Sequence, residues 1–191
     1  METIILASNN NHKIIEIADI LKSKYKVIGL KEAGFDDIID ETGDTFFLNA
    51  YKKAYTVFKK LKTPVIADDS GLCVDSLNGA PGVISARFGG SGLNDKDRYE
   101  LLLKQMENIT FREARFVCNI VMIFSEYNYY SVQEECTGLI TREPLGANGF
   151  GYDPIFYLKE YKQTMAQLDS SIKNTISHRA KALNSLLKII G

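Results

Sequence analysis

The sequence is poor in the residue types that mark secreted, membrane-spanning or metal-cluster proteins. Among 191 residues there is no tryptophan, and there are only two histidines, four prolines and three cysteines. Cys73, Cys118 and Cys136 include no C-x-x-C pair, and their odd number argues against a disulfide framework or a structural zinc site. They are expected as buried thiols in a reducing compartment. Two histidines, His12 and His178, exclude a multi-histidine metal centre. Neither sign of charge dominates: 23 Lys and Arg stand against 24 Asp and Glu, a net charge of -1. That leaves no basic stripe for a polynucleotide, but it leaves room for a small anionic ligand. No apolar run approaches bilayer-spanning length, and the first residues lack the basic region of a signal peptide. A cytoplasmic protein with no membrane or nucleic-acid partner is therefore expected. Also missing are G-x-x-x-x-G-K-[ST] and G-x-G-x-x-G, two common nucleotide fingerprints. The Asp-x-Asp-x-Thr/Val of an aspartyl-phosphate enzyme is absent too, which disfavours a covalent phospho-intermediate.

What is present is 45% hydrophobic sequence, enough for a sizeable core. Thr3 to Ala7 reads as a strand, and Ile14, Ile17, Ala18 and Leu21 follow at helical spacing after a polar loop. A second strand is expected at Tyr25 to Leu30, then an acidic loop from Asp36 to Gly43. A helix starting near Thr45 would bury Phe47, Ala50, Ala54, Val57, Phe58 and Leu61, with Pro64 past its end. Pro64 to Ala67 is expected as a strand that delivers Asp68-Asp69-Ser70-Gly71 at its C-terminal end. Gly79 to Gly92 reads as a long exposed loop. Asn94 or Asp95 would cap a helix carrying Tyr99, Leu102, Leu103 and Met106. From Arg112 the period becomes two and both faces are apolar, so a long buried strand is expected, then a hairpin at Ser125 to Asn128 into an extended Tyr129 to Thr141. Gly146 to Pro154 reads as another loop, and Ala180, Leu183, Leu186, Leu187 and Ile190 mark a closing helix. The fold class is mixed α/β with a long antiparallel hairpin in the second half.

Polar residues collect where strands give way to helices, the place where open α/β sheets build ligand sites. Ser8-Asn9-Asn10-Asn11-His12-Lys13 offers helix-start N–H groups, amides and one ammonium for phosphate oxygens, or an ordinary Asn-rich cap. Asp40 and Glu41, with Asp68 and Asp69, gather carboxylates whose mutual repulsion a hard cation would relieve. One aspartate would bind metal while its neighbour orients or deprotonates water, unless these are only a solvated loop and a turn. Phe150-Gly151-Tyr152-Asp153 places rings and an acid on a glycine-jointed loop, to stack on a base or to pin the loop to the core. Lys173 with Ser177-His178-Arg179 stands at the start of the last helix, placed to read polar groups of an anionic ligand.

In order along essentially the whole chain, these clusters resemble the inosine/xanthosine triphosphate pyrophosphatase family. The matching residues are Ser8-x-Asn10-x-x-Lys13; Glu41-Thr42-Gly43 with Phe46 and Asn49-Ala50; Ala67-Asp68-Asp69-Ser70-Gly71-Leu72; Gly79-Ala80-Pro81-Gly82 with Ser85-Ala86-Arg87; Thr141-Arg142-Glu143-Pro144; Gly149-Phe150-Gly151-Tyr152-Asp153-Pro154; and Ile176-Ser177-His178-Arg179. The sequence departs from the family pattern at Ser8-Asn9, often Thr-Gly, at Asp40, commonly Glu, and at Ile172, often acidic. The resemblance implies one two-lobed domain over residues 1–191 with the active site in a central cleft, working as a homodimer. It also implies Mg²⁺-dependent hydrolysis of ITP, dITP or XTP to the monophosphate and pyrophosphate. By position, Ser8, Asn9, Asn10, Asn11, His12 and Lys13 would hold phosphates with Lys53, and Asp40 and Asp69 would engage Mg²⁺. Asp69 would also be the base for the attacking water. Ser70, Phe150, Gly151, Tyr152, Asp153, Lys173, His178 and Arg179 would surround the nucleoside, the last two touching the purine 6-oxo edge. The alternatives are a pyrophosphatase for other modified nucleotides and a catalytically silent purine-nucleotide sensor.

Overall fold

The computed structural model describes residues 2–90 and 92–191; Met1, and Ser91 in the predicted Gly79–Gly92 loop, lie outside the described residues. Its elements are β1 (Glu2–Leu6), α1 (Asn11–Leu21), β2 (Tyr25–Gly29), α2 (Phe46–Leu61), β3 (Val65–Val74), α3 (Asp95–Gln105), β4 (Glu113–Ser125), β5 (Asn128–Ile140), β6 (Phe156–Leu158), β7 (Gln163–Thr164), α4 (Ser170–Ile176) and α5 (His178–Ile190). The seven strands run in the order β2-β1-β3-β4-β5-β6-β7. The expected mixed α/β class and the β4–β5 hairpin are both present. The chain divides into two compact units, one of Met1–Asp69, Cys118–Glu134 and His178–Gly191, the other of Ser70–Val117 and Glu135–Ser177.

In the first unit β1 lies parallel to both β2 and β3, with Ile4 opposite Val27 and Ile5 opposite Val65. Strand side chains alternate between faces, so the apolar residues sort by parity onto two helix layers. Ile5, Ala7, Val65, Ala67, Val121 and Ile123 pack with Ala50, Ala54, Val57 and Phe58 of α2. Ile4, Leu6, Ile66, Cys118, Ile120 and Met122 pack with Ile17 and Leu21 of α1 and with Ala182, Leu183 and Leu186 of α5. Local chemistry sets the helix ends. The Asn10 side chain accepts from the His12 and Lys13 N–H groups to start α1, and Thr45 accepts from Leu48 N–H to start α2. Lys62 closes α2 in the left-handed region, with its N–H bonded to Phe58 O.

The second unit surrounds a core that includes Leu72, Phe88, Leu102, Met106, Phe116, Ile155, Phe156 and Met165. Asn94 and Asp97 form a reciprocal capping box at α3. β6 pairs antiparallel with both β5 and β7.

Two expectations need correction. Strand β3 does not stop before the acids: it runs on to Val74, so Asp68 and Asp69 sit in mid-strand, buried. Gly79–Gly92 is not simply an exposed loop, because Gly82–Arg87 winds into a 3-10 turn that buries Ser85, and Phe88 joins the core. The Ser85 hydroxyl explains this turn, since it accepts from Leu72 N–H at 2.9 Å and donates to Gly82 O at 2.6 Å. The three cysteines are free and buried as expected. Burial, with the charge of Asp68 adding to it, pushes the Cys118 thiol up to about 12. Among the described residues no helix is long and apolar enough to cross a membrane.

Candidate active site

Adjacent residues of a strand point to opposite faces, and at positions 68 and 69 of β3 this separates two carboxylates that the sequence sets side by side. Asp69 falls on the α2 face. Its Oδ1 lies 3.3 Å from Lys53 Nζ, and its Oδ2 accepts from Asn49 Nδ2 at 3.1 Å. Lys53 and Asn49 stand four residues apart on α2, one helical turn, so both reach the same carboxylate. Lys53 also donates to Glu41 Oε1 at 2.8 Å, so one buried ammonium bridges the acidic loop and the strand. Asn49, fully buried, makes a second bridge, its Oδ1 accepting from Gly43 N–H at 2.8 Å. A Cβ at Gly43 would lie 2.8 Å from that oxygen, so the close approach requires glycine.

The balance of charge on this face shifts proton affinity. Burial pushes the Asp69 carboxyl above its ordinary value and Glu41 adds to the rise, against the opposing pull of Lys53. Burial works against the Lys53 charge, yet Asp69, Asp68 and Glu41 together hold its ammonium above the usual value. Asp69 is thus a carboxylate with more than ordinary appetite for a proton.

Asp68 meets the opposite situation on the α1 and α5 face. Its Oδ2 takes Lys13 Nζ at 3.1 Å, Arg179 Nε at 3.3 Å and Arg179 Nη2 at 3.0 Å. Burial penalises the Asp68 charge, but Lys13, Arg179 and Lys53 outweigh it and hold the carboxyl well below the usual carboxylate range. Arg179 Nη1 donates to Glu16 Oε2 of α1 at 2.6 Å. His178, buried, is the first residue of α5 and precedes this arginine. At the start of α1, Asn9, Asn10, Asn11 and His12 are exposed, and Ser8 Oγ accepts from Asn10 N–H at 3.1 Å. The capping role foreseen for this segment belongs to Asn10.

The second unit builds its own polar centre. Asp153, buried, accepts from Lys173 Nζ at 2.7 Å and from Phe150 N–H at 3.0 Å. The same ammonium lies 4.7 Å from the centre of the Phe150 ring, a cation–π contact. Gly149 leaves the necessary space, since a Cβ there would fall 2.1 Å from Asp153 Oδ2. Gly151 N–H donates to Asp95 Oδ2 at 2.8 Å. The two rings of this loop divide the roles weighed for them. Tyr152 is buried in the core with its hydroxyl donating to Ser85 O at 2.9 Å, so it pins the loop, whereas Phe150 is half-buried. Ser70, half-buried, continues β3 beyond Asp69.

Of the two acids expected at a metal, Asp69 is buried among charges and Asp40 is exposed; the loop carboxylate that shares Lys53 with Asp69 is Glu41. Among the described residues no three His, Cys, Asp or Glu side chains group to hold a metal ion. The donor set still suits Mg²⁺. Glu41 and Asp69 offer hard oxygens on either side of one lysine, and Mg²⁺ habitually takes only one or two carboxylates and completes its shell with water and phosphate.

Sequence reasoning gave Asn49 and Glu16 no role, and it weighed Asp68 with its neighbour as metal ligand or base, whereas Asp68 pairs with Lys13 and Arg179. Asn49 was detectable from its four-residue spacing to Lys53 on the predicted helix. Glu16 carried a weaker signal, standing three residues after Lys13 on the same helix.

The sequence profile of the Ham1 family matches residues 4–189. A Clostridium tetani protein named dITP/XTP pyrophosphatase is 45% identical over 190 residues, covering 97% of this chain and 94% of its own. The solved Staphylococcus aureus Ham1 protein is 43% identical with a TM-score of 0.89, covering 99% of this chain and 98% of its own. The solved HAM1 protein of Coxiella burnetii is 40% identical with a TM-score of 0.91, covering 100% and 98%. With the profile and full-length relatives in agreement, and as the ordered motifs imply, the chain belongs to the Ham1 family.

Proposed function

We propose that this chain is a nucleoside triphosphate pyrophosphatase that hydrolyses non-standard purine nucleotides, dITP, XTP and ITP, to the monophosphate and pyrophosphate. The name of its Clostridium tetani relative supports the substrate class. The single observation that carries the chemistry is Asp69, buried against Lys53, Asn49 and Glu41 and inclined to take a proton.

Attack on a polyanionic phosphate is catalysed mainly by positioning and charge neutralisation. In this assignment Ser8, Asn9, Asn10, Asn11 and His12, on the segment that leads into α1, hold the triphosphate with Lys13 and Lys53. Asp69 orients the attacking water and accepts its proton, while Asn49 fixes the carboxylate and Lys53 balances its charge. Asp69 and Glu41, with Asp40 on the same loop, would hold Mg²⁺, which when bound neutralises phosphate charge and withdraws electrons from phosphorus. Phe150 offers its ring for stacking, Ser70, Gly151, Asp153 and Lys173 are the other residues assigned to the nucleoside, and His178 reads the purine edge. Donors that face a 6-oxo group are left unpaired by a 6-amino group, a penalty capable of ~10⁴-fold selection. The buried free thiols support a cytoplasmic setting. A homodimer, implied by the family likeness, is checked by sedimentation.

The test is product identity. With Mg²⁺, dITP, XTP and ITP should each release pyrophosphate, resolved from orthophosphate by ³¹P NMR, while dATP and dGTP turn over far more slowly. Orthophosphate as the first product, or equal rates across purines, overturns the proposal. Tight dITP binding without any product points to a sensor, and turnover confined to modified pyrimidine nucleotides points to the other pyrophosphatase class.

A further inference from the structure

We infer that Asp95 is a positioning residue for Phe150, holding from the start of α3 the peptide on which that ring is mounted. The inference rests on the assignment of the Phe150 ring to the nucleoside. Asp95 is the first residue of α3, a helix that Asn94 and Asp97 already cap. Its carboxylate turns instead to a loop 56 residues further along the chain, where Oδ2 accepts from Gly151 N–H at 2.8 Å. Oδ1 lies 3.5 Å from Nη1 of Arg98, one helical turn on. The Arg98 side chain is 15% exposed against 56% for Asp95, so the better-buried guanidinium backs the more accessible acid. Both charges are felt by the next residue of the loop. Burial raises the proton affinity of the Tyr152 hydroxyl, Arg98 lowers it, and Asp95 adds to it.

The bond matters because of the peptide it holds. Phe150 N–H donates to Asp153 Oδ2, and Phe150 O accepts from Asp153 N–H at 3.3 Å, so the loop closes both groups upon itself. In a trans peptide the carbonyl and the following N–H point in opposite directions. Gly151 N–H shares its peptide with Phe150 O and therefore faces outward, to Asp95. Gly151 stands at a φ of 63°, with no side chain to resist a turn of that plane. Turning it would pull Phe150 O off Asp153 and loosen the clasp that carries the ring. Asp95 resists that turn from a helix.

Two substitutions separate this role from a merely structural one. Asp95→Ala and Asp95→Asn both remove a charge from the start of α3, but only the amide keeps an oxygen that can accept from Gly151 N–H. Asp95→Ala should raise the KM for dITP on the order of 5-fold, the net worth of one hydrogen bond, with kcat unchanged. Asp95→Asn should stay near wild type. Inorganic pyrophosphate has no base, and its calorimetric Kd should be the same in all three proteins. In a Phe150→Ala background Asp95→Ala should cost almost nothing, because the ring it serves is gone. If Phe150→Ala fails to fold, Phe150→Leu, which keeps an apolar body without a ring face, takes its place. Equal losses in Asp95→Ala and Asp95→Asn, an unchanged KM in Asp95→Ala, a fall in kcat, an altered pyrophosphate Kd, or losses that add in the cycle overturn the role of Asp95 alone. A dITP KM indifferent to the loss of the Phe150 ring overturns the assignment of that ring to the nucleoside, and this inference with it. Wild-type protein without dITP turnover overturns the proposed function and both assignments together.

Discussion

Asp68 and Asp69 share a peptide bond, a strand and near-complete burial, yet their surroundings drive them in opposite directions. The Oδ2 of Asp68 collects three cationic donors from two helices. Asp69 meets one lysine, which it shares with Glu41, and a neutral amide. Burial penalises both charges, so the sign of the outcome depends on how many cations each face supplies. A face with cations to spare holds its acid permanently ionised and serves as scaffold. The face with a shortfall leaves its acid receptive to a proton, and that is where chemistry is expected.

Substitution of each acid by its amide tests this contrast. Asp69→Asn should show the larger effect, lowering turnover of dITP by ~10²–10⁴-fold, the usual contribution of a general base, with nucleotide binding retained by calorimetry. Because its folded value is raised, Asp69 contributes stability below its unfolded value and loses it as pH rises. Asp69→Asn should accordingly be no less stable than wild type at pH 7 in urea unfolding, and near-normal turnover would remove the contrast altogether.

Asp68→Asn should do the reverse. Leaving Arg179 and Lys13 without their buried partner costs about 3–5 kcal/mol of stability at neutral pH. The folded value of Asp68 is depressed, so its contribution is present above the unfolded value, about 4, and is lost as pH falls toward the folded one. The stability gap between wild type and variant should narrow below pH 4, and a gap that stays constant from pH 7 to 3 would deny Asp68 its ion pairs. Tyr152→Phe belongs to neither network and sets the scale. It removes one buried hydroxyl bond and should cost about 1 kcal/mol in urea unfolding, with the ratio of dITP to dATP turnover unchanged.

The candidate site is more legible in the sequence than the backbone that holds it. Strand β3 was cut short at Ala67 because an acid pair interrupts the apolar run, and nothing local tells that each acid will find cations on its own face and let the strand run on to Val74. The alternation of β4 was readable because Phe116 to Phe124 fills both faces over a length that noise does not imitate. β6, β7 and α4 are too short to express a period. The place of Lys53 follows from the family resemblance by position, but its bond to Glu41 rather than to the neighbouring Asp40 depends on how the loop closes over α2. The link between Arg179 and Glu16 spans 163 residues of sequence, a distance at which no spacing rule operates.

The side chain of Asn49 is polar in two different directions. Its oxygen faces a backbone donor and its nitrogen faces a carboxylate, so a rotated amide would set like against like at both ends. An aspartate would occupy the same volume, still receive the Gly43 N–H, and turn its second oxygen on Asp69 with nothing to give. Position 49 therefore discriminates by hydrogen rather than by size, and hydrolytic loss of a single ammonia from that side chain would silence the strand acid while leaving the shape of the fold intact.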